Sequence, residues 1–171
     1  MRPTVILDRH EASQWTLDYP YAHISFLEPD EPGYILPESV NRKGWLNIVV
    51  ADFRSLAQAS EPGNAAKGGP SAMPSPDKFA ALPAFMAEML PQIEGFAVNC
   101  GAGVSRSSGM GLALCALLGH NPRYLYEGRF GHNQRPLDPN FLLTHAALVA
   151  MWAAPMPFAE IAAEAALWDQ R

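Results

Sequence analysis

A chain of 171 residues and 18.6 kDa has the size of one domain, or of one domain with a small appendage. Hydrophobic residues make up 49% and charged residues 17%, enough apolar material for a core, so disorder is excluded as the main state. Twelve basic residues against seventeen acidic ones give a net charge of -5, the wrong balance for a general binder of nucleic acid or anionic membrane. Two cysteines, Cys100 and Cys115, cannot form a disulfide framework, and no C-x-x-C pair suggests zinc. Met1-Arg2-Pro3-Thr4 lacks the apolar run of a signal peptide. A cytoplasmic protein with reduced thiols is the expectation.

In chain order, Val5-Ile6-Leu7 reads as a short buried strand, Ala22 to Leu27 as a second and Trp45 to Val50 as a third. From Ser60 to Pro76 the chain holds four prolines and three glycines, a composition that predicts neither helix nor central strand. This predicts a mobile surface loop, over about residues 54–76, inside a single domain of residues 1–171. Ser75-Pro76-Asp77 has the pattern of a helix start, and Phe79, Leu82, Met86, Met89 and Leu90 recur at helical spacing. Pro83 interrupts that pattern and predicts a kink or a late start. Gly95 to Cys100 reads as another buried strand, and Met110 to Leu118 as a helix apolar all round, stopped by Gly119 and Pro122.

Beyond about Asn121 the pattern is mostly helical. Asp138-Pro139 opens one segment, and Pro155 to Pro157 divide it from an alanine-rich final helix. The apolar stretch Phe141 to Phe158 approaches membrane-spanning length, but His145, Pro155 and Pro157 lie inside it, so it reads as a buried helix. Strands alternating with helices predict an α/β fold: a central, mainly parallel sheet flanked by helices, with a helical C-terminal part.

The chemistry concentrates in Asn99-Cys100-Gly101-Ala102-Gly103-Val104-Ser105-Arg106-Ser107-Ser108. Placed between a buried strand and a buried helix, such a turn lets backbone N–H groups converge on an anion. The five residues between Cys100 and Arg106 suffice to wrap one tetrahedral dianion. The amides of residues 101 to 106 then point inward, and the Arg106 guanidinium grips two oxygens. Gly101 and Gly103 permit the backbone angles of a nest. The same positive field should favour Cys100 as a thiolate nucleophile, with Ser107 placed to hydrogen-bond its sulfur.

Cys-x5-Arg-Ser, with glycine three residues after the cysteine, resembles the signature of cysteine-dependent protein tyrosine and dual-specificity phosphatases. Gly-Val-Ser-Arg-Ser is especially similar to small bacterial and phage members. The likeness is strongest over Phe96 to Leu118, weaker over Ile48 to Leu118, and reaches Arg135-Pro136 and Pro139-Asn140. A loop at position 100 argues against the low-molecular-weight branch, whose loop lies near the N-terminus. One departure is clear: the family usually has histidine before the cysteine, and here the residue is Asn99.

The resemblance implies a phosphatase-like fold and phosphomonoester hydrolysis without a cofactor or metal. The substrate would be a phosphorylated protein or a small phosphomonoester. It also implies a general acid on an upstream loop. Asp52, just past a predicted strand end, is preferred to Asp77, which a helix start already explains. Three bland readings stand beside these. Cys100 alone would be a buried structural thiol, Asp52 a loop-capping acid, and Arg135 a surface charge. Cys115, among leucines, reads as core. His10, His23, His120, His132 and His145 show no metal-ligand spacing. Gly101-Ala102-Gly103 is a poor dinucleotide fingerprint because Arg106 replaces the third glycine. A rhodanese-type sulfur carrier ranks lower because it does not require the arginine and serine. The rival from another class is a catalytically weak module that binds phosphorylated partners, motivated by Asn99.

Overall fold

Short runs rich in aliphatic and aromatic residues become strands, buried along their whole length in three cases and alternating with exposed positions in the third of the four, which lies at the sheet edge. In a computed structural model these are β1 (Val5–Leu7), β2 (Tyr21–Leu27), β3 (Arg42–Val49) and β4 (Gly95–Asn99). Residues 1–31, 33, 35–126 and 136–153 are described, the side chains of Tyr124 and Tyr126 excepted. The expected alanine-rich final helix, His132 and Arg135 lie outside the described residues.

All four strands are parallel, in the order β1-β4-β2-β3. Ile24 aligns with Val98 on one side and Leu46 on the other, and Ile6 aligns with Val98. The chain is therefore α/β, as its alternating pattern predicts. Parallel pairing brings the C-terminal ends of all four strands to one edge of the sheet, the edge where ligands gather in open α/β folds.

The two sheet faces differ in what covers them. Ile6, Ile24, Phe26, Phe96 and Val98 pack with Met110 and Leu114 of α4 (Arg106–Leu118), Met86 of α3 (Leu82–Met89) and Leu143 of α6 (Phe141–Trp152). Val5, Leu7, Tyr21 and Ala97 form a smaller cluster on the opposite face with Ala12 of α1 (Arg9–Gln14) and Leu36. Helix α4 begins at Arg106, four residues before its apolar run, and ends at Gly119, whose φ of 72° suits glycine. The short α5 covers Arg123–Tyr126. Among the described residues no helix is long and apolar enough to cross a membrane.

Two elements differ from expectation. Helix α1 carries almost no apolar signal, but Asp8 and Glu11 close a reciprocal capping box: each side chain accepts the other's backbone N–H at 2.8 Å. The segment 54–76 is not structureless. It contains α2 (Leu56–Ala59) and 3₁₀ turns at Pro62–Lys67, Gly69–Ala72 and Pro76–Phe79. Three of its four prolines, Pro62, Pro70 and Pro76, occupy first-turn positions, where a missing N–H costs nothing, so they start turns instead of preventing them. Gly68, with φ of 87°, joins two of these turns, and Ala59 and Ala72 are buried with Ala51 and Phe53. Pro83 gives the late start: α3 begins at Leu82, after a separate turn at Pro76–Phe79.

Candidate active site

Cys100 follows β4 directly and turns into the larger core, with Phe96 and Val98 on the same face of the strand. Its Sγ lies 3.3 Å from Ser107 Oγ, both buried. Gly103 has a φ of 69°, the left-handed conformation a nest requires, whereas Gly101 is not in that region. The expectation that both glycines supply unusual angles is thus corrected to Gly103 alone. Among the described residues, the amides of Gly101, Gly103, Val104 and Ser105 donate to no protein acceptor. The far side of the loop is tied down through its carbonyls. Val104 O accepts from the Asp138 amide at 3.1 Å, and Ser105 O accepts from the Asn140 amide at 3.2 Å.

Arg106, on the first turn of α4, is buried beneath this loop. Its Nη1 donates to Val50 O at 3.0 Å, and its Nη2 pairs with Glu28 Oε1 at 2.9 Å. Its Nε is buried without a partner in the protein. Glu28 sits just past the end of β2, and burial pushes its carboxyl above the usual range although Arg106 pulls the other way. Glu31 accepts the Glu28 amide at 2.9 Å and pairs with Arg9. Burial opposes its charge, but the Glu28 amide and the Arg9 guanidinium together hold its carboxyl below the usual range. Arg9 also donates its backbone N–H to Gly101 O at 3.2 Å.

Asp52 lies just beyond β3, and its Oδ1 accepts from Ser105 Oγ and from Asn140 Nδ2, both at 2.8 Å. Asn140 caps α6 by accepting the Leu143 amide, and its Nδ2 also reaches Phe53 O at 3.2 Å. Arg54 Nη2 bridges Ser105 Oγ at 3.2 Å and Asp138 Oδ2 at 2.8 Å. Cys100, Arg106, Ser107, Ser105 and Asp52 are therefore joined through the loop. Asp77 stands apart on an exposed first turn, where a hydrogen bond from Ser75 holds its carboxyl low. Cys115 is buried within the core of α4.

Asn99 turns to the opposite sheet face. Its Oδ1 accepts from Ser25 Oγ at 2.7 Å and lies 2.9 Å from His23 Nε2, while Trp45 Nε1 donates to Ser25 Oγ at 3.0 Å. Burial drives the His23 pKa down to about 4, so the ring is neutral at neutral pH and carries its proton on Nε2 toward that acceptor.

Sequence reasoning did not find Arg9, Glu28, Glu31 or Arg54. No local motif marks them, and only the strand order brings them to the loop. Asn140 was visible only as part of Pro139-Asn140. No family model matches the chain, and neither a curated protein nor a solved structure does.

Proposed function

We propose that the chain is a cysteine-dependent phosphomonoesterase of the tyrosine or dual-specificity type, acting on a phosphorylated protein or a small phosphate ester. The observation that carries this reading is the bond from Ser105 Oγ to Asp52. It joins a carboxylate from beyond β3 to the same short loop that holds Cys100, Ser107 and Arg106.

The Cys100 thiolate attacks phosphorus in line with the ester oxygen. A sulfur–phosphorus bond forms as the phosphorus–oxygen bond breaks, and Asp52 gives its proton to the departing alkoxide or phenoxide. The amides of residues 101 to 106 and the Arg106 guanidinium, whose unpartnered Nε supplies a donor, stabilise the equatorial oxygens. Asp52, now a carboxylate, takes a proton from water as that water attacks the cysteinyl-phosphate. Phosphate leaves, and Ser107 donates to the regenerated thiolate. No step draws on a cofactor, and a compartment that keeps thiols reduced, such as the cytoplasm, suits the nucleophile.

The test is phosphate release from an aryl phosphate between pH 5 and 8, with EDTA present, by wild type and Cys100→Ser. Metal-independent turnover by wild type and its loss in the variant, with orthovanadate still bound, is the expected result. A second reading, a phosphate-binding module with little turnover, is favoured by Asn99, which carries no charge and faces away from Cys100 toward His23 and Ser25. Binding of orthovanadate by a wild type that releases no phosphate would select it.

A further inference from the structure

Two guanidinium groups, not one, meet at the loop. Arg106 comes from the first turn of α4, and Arg9 from the start of α1, just after the strand that borders β4. The Arg9 amide, bonded to Gly101 O, stitches that start to the loop. A β-carbon placed on Gly101 would stand 3.9 Å from Arg9 Nη2 and 4.0 Å from Arg106 Nη2, so both cations converge on one residue.

Each is aimed by its own acid: Glu28 holds Arg106 and Glu31 holds Arg9, while the other Glu31 oxygen is fixed by the Glu28 amide. A guanidinium has several donors, and one carboxylate oxygen occupies few of them. The acids therefore fix the direction of both groups, and the Arg106 Nε stays without a partner in the protein. The two side chains differ in access. Arg106 is 6% exposed, in the floor of the loop, and Arg9 is 42% exposed, at its rim. Hydrolysis of a simple monoester, as set out above, uses Arg106 and leaves Arg9 without a role.

Resting on the phosphate-loop reading, we propose that Arg9 binds a second anionic group of the substrate. The preferred substrates are then phosphomonoesters that carry another phosphate within a few bonds of the one cleaved. With the first phosphate in the loop, the second lies against Arg9 at the rim, held by charge-assisted hydrogen bonds.

The experiment compares methylphosphonate with methylenediphosphonate by titration calorimetry at fixed ionic strength, for wild type, Arg9→Gln and Lys43→Gln. Lys43 lies near the start of β3, at the opposite end of the strands from the loop, so its removal controls for net charge alone. Expected is at least about tenfold tighter binding of the diphosphonate by wild type, retained in Lys43→Gln and lost in Arg9→Gln. Binding of both phosphonates with equal affinity by wild type would overturn the proposal. A preference that survives in Arg9→Gln would do the same and move the second contact to Arg54. Binding of neither would overturn the phosphate loop itself, and this proposal with it.

Discussion

At the scale of single residues, the two loop glycines separate a conformational requirement from a spatial one. Gly103 sits at a φ of 69°, where a β-carbon meets the following carbonyl, so Gly103→Ala should cost about 1–2 kcal/mol and weaken orthovanadate binding. Gly101 has no such φ, and a β-carbon there makes only ordinary contacts with two guanidinium groups. Gly101→Ala should therefore shift stability by no more than about 0.5 kcal/mol. Urea denaturation of both variants checks the pair, and equal losses would place the strain elsewhere. Asp52 offers a chemical counterpart. If it protonates the leaving oxygen, Asp52→Asn should slow alkyl phosphates by about 10²-fold or more and activated aryl phosphates far less. Rates across a series of leaving groups read this directly. The same selectivity in Asp77→Asn would transfer the role, although Asp77 lies on an exposed turn.

Elements set how firmly those residues are held, and the contact between α4 and α6 shows how. A β-carbon on Gly109 would come within 2.7 Å of Asn140 O and 3.3 Å of Asn140 N, both backbone atoms at the cap of α6. Asn140 is also the residue whose side chain holds Asp52 and whose amide holds Ser105 O. Gly109→Ala should thus cost about 1–3 kcal/mol by overpacking, and should also lower turnover by moving Asp52 off the loop. Thermal unfolding beside steady-state rates would show both effects, and a loss of stability with unchanged turnover would uncouple the cap from the acid. Nothing in the sequence around Gly109 announces this contact, because it depends on α6 crossing close to α4. The strands were far more legible. Val5–Leu7 matches its apolar run residue for residue, and the helix starting at Arg106 follows from the loop pattern. Helix α1 was missed because six mostly polar residues carry no periodic signal, though Asp8 and Glu11 were there to be read as a capping box. The prolines of 54–76 were weighed as helix breakers, whereas Pro62, Pro70 and Pro76 stand at first-turn positions that make them helix starters.

For the whole molecule, the deciding fact is the strand order, which no local pattern contains. It sets Glu28 against Arg106 and Glu31 against Arg9 at one edge of the sheet. It also assembles the half-exposed Trp45 and the buried Ser25, His23 and Asn99 from three adjacent strands into a polar chain behind the loop. That chain makes stability depend on pH in a definite direction. The folded pKa of His23 is lowered from 6.5 to about 4, so between those values the unfolded chain binds the extra proton. The contribution is present above about pH 6.5 and is lost as pH falls toward 4, by about 3 kcal/mol in all. Glu28 acts in the opposite sense. Its raised carboxyl contributes stability at low pH that is lost as pH rises through its folded value, so its slope opposes that of His23. His23→Gln keeps an N–H for Asn99 Oδ1 but cannot titrate. Comparing urea unfolding at pH 7 and pH 4, wild type should lose about 3 kcal/mol more than His23→Gln. Equal losses in the two proteins would show that His23 charges without disturbing the fold, and that Asn99 is held by Ser25 alone.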